Sequence, residues 1–262
     1  MVYGELKDKA LGWFTRFVFG VDPSSIPPRV VITPSKVEEY FENFPIVAAE
    51  KGLALERVGS SFVTSKGSRQ AIFCEEGIGA SNFADSSYIL CHCKRVKEII
   101  FVGTGAGIGE NVGSADINLP SCCIRLDKVV ELLLPREAPA TADSDMAKKL
   151  MKLIEKEVQA LSMSVHQGIH ATVPFFLAET RQLLTDLKKQ GVLSVDMELS
   201  VLYALGNHYD KKVAGIIRIG DLPLGGLPTW KSRSYKIGLK KEVQTGILRA
   251  VFGYLFDTEK RI

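Results

Sequence analysis

The chain has 262 residues, 46% of them hydrophobic, and its 33 basic and 30 acidic side chains leave a formal net charge of +3. This length suffices for one substantial core, and the mixed charges provide no concentrated basic face of the kind that nucleic-acid binding needs. No apolar run approaches the ~18 residues of a membrane span, and the first residues lack a signal-peptide pattern, so we expect a cytoplasmic protein with no nucleic-acid and no membrane partner.

Hydrophobic periodicity and turn residues predict strands and helices in alternation. Residues 6–19 have helical spacing and are followed by three prolines, which predicts an N-terminal helical extension over residues 1–28 and one domain over residues 29–262. The predicted strands of the domain are residues 30–33, 53–63, 70–74, 99–102, 112–120, 121–126, 164–171, 193–195 and 213–219. The predicted helices are residues 36–44, 84–93, 146–161, 178–190, 197–208 and 235–256. This order predicts an α/β fold, a three-layer sandwich around a mixed, largely parallel β-sheet.

A glycine-rich segment follows the apolar strand that ends at Val102, and it reads Gly103-Thr104-Gly105-Ala106-Gly107. Such glycines predict a loop whose backbone N–H groups approach a ligand oxygen, because no Cβ intervenes. The alternative is a tight strand connection without a ligand. The spacing fits neither GxGxxG nor GxxxxGK[ST], which excludes the two familiar nucleotide motifs. Because ligands gather at the carboxyl ends of strands, the candidate loops follow Glu75, Val102 and Ile219.

Cysteine and histidine do not occur at the spacings of metal sites. The five cysteines form no paired CxxC motif, and the four histidines form no HExxH motif, so we predict no metal. Cys91-His92-Cys93 lies in an apolar segment, where buried reduced thiols are expected.

Four segments, taken in order, resemble the nucleoside phosphorylase family, whose members cleave the N-glycosidic bond of nucleosides. They are Gly77-Ile78-Gly79, the glycine-rich segment, Val195-Asp196-Met197-Glu198 and Ile216-Ile217-Arg218-Ile219-Gly220-Asp221. Uridine-phosphorylase-like members extend the likeness through Ile124-Arg125-Leu126-Asp127, residues 135–143, His166-Gln167-Gly168 and Phe175-Phe176. The resemblance covers residues 29–256. It implies a nucleoside substrate, inorganic phosphate as co-substrate, no cofactor, and a homo-oligomer (dimer, trimer or hexamer).

The resemblance also implies roles for individual residues. Cleavage passes through an oxocarbenium-like sugar, so the site needs a ribose clamp, a nucleophile and a proton donor for the departing base. Met197 and Glu198 match the ribose-binding pair, and Asp221 matches the acid that serves a purine. The alternatives are a solvated carboxylate at a helix N-terminus for Glu198 and an ordinary turn residue for Asp221.

The base-binding positions correspond to Phe175, Glu179 and Arg181. Phe175 would stack on the base, against the alternative of a core aromatic beside a proline. Arg181 stands where uridine phosphorylases bind uracil, but Glu179 replaces their Gln, and a carboxylate only accepts hydrogen bonds whereas uracil also presents an acceptor edge. We therefore expect a purine rather than uridine.

The phosphate site is where the sequence departs from the family. Thr104, between Gly103 and Gly105, keeps the hydroxyl of the glycine-rich segment, but the family's preceding Arg is Phe101. Its Pro-Gly-Asp-Pro-x-Arg turn is also replaced, by Thr33-Pro34-Ser35-Lys36-Val37-Glu38. Each lost charge-assisted donor costs on the order of 1.5–3 kcal/mol. The candidate substitutes are Lys36 and Arg57, the latter donated across a subunit interface; the alternative is that both are surface charges.

The predicted reaction is phosphorolysis of a purine nucleoside to free base and ribose 1-phosphate. Hydrolysis is one alternative, because AMP nucleosidase and similar relatives also lack that Arg and share residues 33–41 and 220–224; a substrate phosphate would then meet Lys231, Arg233 or Lys236. A degenerate nucleoside-binding protein is another alternative. Phe101 favours it, whereas the retention of Thr104, Glu198 and Asp221 opposes it.

Overall fold

The computed structural model describes residues 8–226 and 237–257, which form eleven strands and eight α-helices. The strands are β1 (Arg29–Thr33), β2 (Ala54–Val58), β3 (Ser61–Lys66), β4 (Arg69–Glu75), β5 (Glu98–Gly107), β6 (Ile117–Asn118), β7 (Cys122–Arg125), β8 (Val165–His166), β9 (Ile169–Thr172), β10 (Val192–Asp196) and β11 (Lys212–Asp221). The helices are α1 (Asp8–Phe19), α2 (Val37–Tyr40), α3 (Phe44–Glu50), α4 (Ala80–His92), α5 (Ser144–Val158), α6 (Arg181–Lys189), α7 (Leu199–His208) and α8 (Ile237–Phe256).

The strands form one mixed sheet in the order β2-β3-β4-β1-β5-β10-β9-β7, with β11 joined to β5 and β6, and β6 joined to β8. Most neighbours are parallel, as predicted. β5 is long enough for three partners: its first half lies between β1 and β11, and its last residues pair with β10 in the antiparallel sense. The end of β5 is therefore flanked by β11 on one side and β10 on the other.

Helices cover both faces of the sheet, which confirms the predicted three-layer α/β sandwich. Helices α3, α5 and α8 bury apolar side chains against one face, where Phe44, Phe73 and Phe252 pack as an aromatic cluster. Helices α4 and α7 cover the other face. Helix α1 packs against α4, and its last residue, Phe19, is buried in the same apolar cluster. Apolar burial on both faces is the main force that holds such a sandwich together.

Five predicted elements are wrong in detail. The strand predicted over residues 112–120 is only the two-residue β6, and the one predicted over residues 164–171 is two strands, β8 and β9. In place of the helix predicted over residues 36–44, the structure has the short helix α2 and the beginning of α3. Pro45 lies in the first turn of α3, a position that favours the start of a helix. The strand predicted over residues 53–63 is a hairpin of β2 and β3, since Gly59 takes a positive φ of 61° at the turn. Helix α4 begins at Ala80 after Gly79, so Ser81 and Asn82 lie inside it rather than at its N-cap.

The glycine-rich segment is not a loop but the second half of β5. A Cβ on Gly105 would lie 2.4 Å from the carbonyl oxygen of Val195, and one on Gly103 would lie 2.5 Å from the ring of Phe101. The glycines therefore allow β10 and a core side chain to approach the strand closely.

No helix within residues 8–226 and 237–257 is long and apolar enough to cross a membrane. In the same residues no group of three or more His, Cys, Asp and Glu side chains is placed to hold a metal ion. Cys91 and Cys93 are buried free thiols.

Candidate active site

The register of the strands brings the sequence segments together around the end of β5. Arg218 of β11 pairs with Thr104, and Asp221 pairs with Ala106. From the other side, Val195 of β10 also pairs with Ala106. β10 ends at Asp196, so the chain runs directly from this pairing into Met197 and Glu198.

Glu198 connects this centre to the first glycine segment. Its Oε1 accepts a hydrogen bond from the amide of Gly79 at 2.7 Å, and its Oε2 accepts one from the amide of Met197 at 3.1 Å. The residue is only 3% exposed, so it is not a solvated carboxylate at a helix end. Burial raises its pKa well above the usual value, the charge of Asp196 adds to the effect, and the two amide bonds partly oppose it.

Glu179 and Asp221 belong to one group of acidic side chains. Burial, followed by the charges of Asp221 and Asp196, raises the pKa of Glu179 to about 7. Asp221 itself is buried. Because burial and these neighbouring charges favour its protonated form, Glu179 retains a proton up to about neutral pH.

Asp196 is held by a buried network that sequence reasoning missed. Its Oδ1 accepts from Thr172 Oγ1 at 2.7 Å, and its Oδ2 accepts from the amide of Leu199 at 3.0 Å. His170 Nε2 lies 2.9 Å from Asp196 Oδ1, but the orientation of the two groups does not meet the geometry of a hydrogen bond. The other ring nitrogen, Nδ1, lies 2.8 Å from Ser194 Oγ. The network fixes the backbone immediately before Met197 and Glu198. The only signal for His170 was a titratable side chain inside a predicted strand.

Arg218 was also assigned no role from the sequence, although it lies within the segment Ile216-Ile217-Arg218-Ile219-Gly220-Asp221. Its Nη2 donates to Thr104 Oγ1 at 3.0 Å, its Nη1 makes a long contact of 3.4 Å with the carbonyl oxygen of Ile219, and its Nε has no partner. The residue is 8% exposed. Nearby, the hydroxyl of Tyr40 donates to the carbonyl oxygen of Gly103 at 2.8 Å. The available signal was a single arginine among isoleucines in a strand that apolar neighbours predict to be buried.

Glu76 is another missed residue, placed immediately before Gly77. It is 7% exposed, and among the residues that the structure describes neither carboxyl oxygen has a hydrogen-bond partner of normal geometry. Burial raises its pKa to about 8, which the hydroxyl of Ser86 only partly offsets and the charge of Glu75 slightly increases.

Several residues predicted for the site are exposed or only half-buried. Phe175 is 58% exposed, Arg181 is exposed at the start of α6, and Met197 is half-buried. Phe101 is fully buried and packs edge-on against Phe83, with ring centroids 5.3 Å apart.

The two candidate phosphate substitutes lie on the surface, away from Thr104. Arg57 pairs with Glu38 at 3.5 Å, and Lys36 pairs with Glu39 at 3.1 Å. The remaining basic candidates, Lys231, Arg233 and Lys236, lie outside the described residues.

A family model, that of the Phosphorylase superfamily, matches residues 28–245. Curated relatives include a DeoD-type purine nucleoside phosphorylase of Colwellia psychrerythraea, 24% identical over 158 residues, which are 60% of this chain and 66% of the relative. The purine nucleoside phosphorylase of Plasmodium falciparum is 27% identical over 158 residues, 59% of this chain and 62% of the relative. These alignments span just under two thirds of the relatives' own length.

Solved structures share the fold over most of both chains. The uridine phosphorylase of Vibrio fischeri has a TM-score of 0.66 at 20% identity and covers 88% of this chain and 93% of its own. The purine nucleoside phosphorylase of Toxoplasma gondii has a TM-score of 0.68 at 20% identity, with 88% and 92% covered. The AMP nucleosidase of Bacteroides thetaiotaomicron has a TM-score of 0.67 at 18% identity, with 95% and 98% covered.

Proposed function

The chain belongs to the Phosphorylase superfamily, as its sequence motifs predicted, and we propose that it cleaves the N-glycosidic bond of a purine nucleoside by phosphorolysis, which yields free base and ribose 1-phosphate. The observation that carries the proposal is that two buried acidic residues, Asp221 and Glu198, lie at or just after the ends of strands β11 and β10, which both pair with β5 at Ala106. Inorganic phosphate is the co-substrate, and the reaction needs no cofactor.

Glu198 is proposed to bind the ribose hydroxyls. Its oxygens each accept one backbone amide, which fixes the carboxyl group and leaves lone pairs for a ligand. Because its pKa is raised, the carboxyl group carries a proton and both donates to and accepts from a vicinal diol. Met197, half-buried beside it, would pack against the sugar.

Asp221 is proposed to be the acid. As the bond between C1′ and the base breaks, its electron pair moves onto the purine, which takes a proton at N7 from Asp221, while a phosphate oxygen forms the new bond to C1′. Asp221 is buried and lies within electrostatic reach of Glu179, whose pKa its charge helps to raise, so the two carboxyl groups are close enough to act together. Phe175 and Arg181 would complete the base site from its exposed rim.

A homo-oligomer fits this arrangement. Three consecutive apolar side chains are exposed: Phe175 by 58%, Phe176 by 45% and Leu177 by 80%. A contiguous exposed apolar patch is typical of an interaction surface, whereas single exposed apolar side chains are common. A second copy would cover this segment. Size-exclusion chromatography with light scattering would measure the state; a monomer would contradict the proposal.

The reaction is tested by incubating the protein with adenosine, inosine, uridine and AMP, each with and without phosphate, and by separating the products chromatographically. Phosphate-dependent release of a purine base is expected. Asp221→Asn should lower kcat/KM for a purine nucleoside about 100-fold or more, and Glu198→Ala should raise KM and lower kcat. Glu155→Gln, at an exposed carboxylate of α5, is the matched control. No base from any substrate, with a nucleoside still raising the Tm, would leave a binding protein instead.

Hydrolysis is the second candidate, and the position of Phe101 favours it. This side chain is part of the core, so position 101 provides no positive charge for phosphate. Base release at equal rates with and without phosphate would establish water as the nucleophile. Faster release from AMP than from adenosine would add a preference for a nucleotide.

A further inference from the structure

We propose that Arg218 and Thr104 form a binding site for a phosphate oxyanion at the end of β5. The inference deepens the proposed function and rests on it for the identity of the reaction, since it names the anion that this side of the site receives. The phosphate has two sources, inorganic phosphate as nucleophile or the 5′-phosphate of a nucleotide substrate, which share the same chemistry.

The two side chains are brought together by the strand register. Arg218 and Thr104 pair directly across parallel strands, and the guanidinium Nη2 donates to the threonine hydroxyl at 3.0 Å. The arginine is buried, whereas the threonine is exposed. The pair therefore places a fixed positive charge directly behind a hydroxyl that solvent and ligands can reach.

The charge of Arg218 has no carboxylate partner in the described part of the chain. Within residues 8–226 and 237–257 no ion pair of the guanidinium is found, and its contacts are the bond to Thr104, the long contact to the Ile219 carbonyl and the neighbouring hydroxyl of Tyr40. Residues 227–236, which follow next in the sequence, contain no acidic residue. A buried arginine stays charged at any physiological pH, so an unpaired one is costly.

The guanidinium of Arg218 has an unused donor. Its Nε is buried without a hydrogen-bond partner among the described residues, and a guanidinium offers its N–H groups in a planar fork that matches two oxygens of a phosphate. The other basic candidates do not compete for this place, since Lys36 and Arg57 are paired on the surface. An arriving phosphate would supply both the missing negative charge and the missing acceptor.

The test compares wild type with Arg218→Met, Arg218→Lys and the control Arg249→Met, whose arginine is exposed and paired with Glu50 on the surface. The first readout needs no activity: the Tm is measured with inorganic phosphate and with chloride at equal ionic strength. Phosphate should raise the Tm of wild type and of the control more than chloride does, and Arg218→Met should lose this difference. Arg218→Lys should lie between, because an ammonium keeps the charge but not the fork.

The second readout is kinetic and separates the two sources of phosphate. If inorganic phosphate is bound, Arg218→Met should raise its KM about 10- to 100-fold while the KM for adenosine changes little. If the phosphate of a nucleotide is bound, the KM for AMP should rise by a similar factor while that for adenosine does not. Should Arg218→Met fail to fold, Thr104→Val and Arg218→Lys carry the same comparison, each with weaker phosphate binding expected.

The inference is overturned if neither phosphate nor AMP stabilises the wild type beyond chloride and adenosine, or if folded Arg218→Met binds both as well as wild type does. Nucleoside cleavage that does not depend on Arg218 would overturn it and leave the proposed function intact. An Arg218-dependent Tm shift by phosphate, without cleavage of any nucleoside, would support the anion site and contradict the proposed function.

Discussion

Replacing Glu76 by Gln should make the protein more stable at neutral and alkaline pH. The carboxyl group is buried without a hydrogen-bond partner of normal geometry, and its pKa is about 8 in the folded chain against a usual 4.5. Between these values the folded state binds a proton that the unfolded state has released. Stability contributed by the protonated group is therefore complete below pH 4.5 and is lost as pH rises through 8.

The magnitude follows from about 1.4 kcal/mol for each pH unit in this window. Between pH 5 and pH 7, ionisation of the unfolded chain should cost the wild type about 2.5 kcal/mol through this group, and roughly another 1 kcal/mol by pH 8. Glutamine has similar shape and cannot ionise. The difference in unfolding free energy between Glu76→Gln and wild type should therefore grow in favour of the variant by these amounts.

Urea unfolding followed by far-UV circular dichroism at pH 5, 6, 7 and 8 measures this difference. Other buried carboxyl groups, such as Glu198 and Glu179, tilt the pH profile of both proteins in the same sense and cancel in the comparison. Glu155→Gln, on the exposed face of α5, serves as the control. A difference that stays constant from pH 5 to pH 8 would refute the reasoning, because it would mean that folding leaves the proton affinity of Glu76 unchanged.

Three further substitutions probe how the strands around the site pack. Gly105→Ala should destabilise the protein by more than about 2 kcal/mol and abolish activity, because its Cβ would lie 2.4 Å from the Val195 carbonyl oxygen; a stable, active variant in urea unfolding and assay would contradict this. Phe101→Ala should cost about 3–5 kcal/mol of unfolding free energy by leaving a core cavity, and an unchanged urea midpoint would count against full burial. Thr172→Val removes the hydroxyl that donates to Asp196, so the unfolding free energy should fall by about 1–3 kcal/mol and nucleoside KM should rise; an unchanged KM would separate the network from the site.

The sequence was informative about the fold because the buried strands of this sheet are long apolar runs. β5 and β11 lie in the middle of the sheet, and their continuous hydrophobicity identifies them without any tertiary information. The hairpin at Gly59 was not predictable in the same way, since the residues on both sides of the turn keep a strand-like composition. The glycines of β5 look like a loop for a similar reason: only the position of Val195 reveals that they serve close strand contact.

Some residues of the candidate site could be predicted from the sequence and others could not. Positions such as Glu198 and Asp221 follow from their place in recognisable segments. The burial of Glu76 and Arg218 does not, because whether a charged residue in a strand is buried depends on which strands and helices pack beside it. Resemblance to a family even obscures such residues, since it directs attention to the positions at which the family carries its charges and away from new ones.

A bulge in β11 explains how one strand could supply both a cation and an acid. Ile219 pairs with Gly105 and Asp221 with Ala106, so two steps along β11 correspond to one along β5. Without this extra residue, the regular alternation of side chains along β11 would give Asp221 a different direction relative to Arg218. A bulge changes the direction of the side chains that follow it. Gly220 permits it, because a Cβ there would lie 2.7 Å from Thr104 Cγ2. The bulge thus keeps Arg218 against Thr104 while Asp221 comes within electrostatic reach of Glu179, so that the proposed anion site and proton donor are separated by two residues of a single strand.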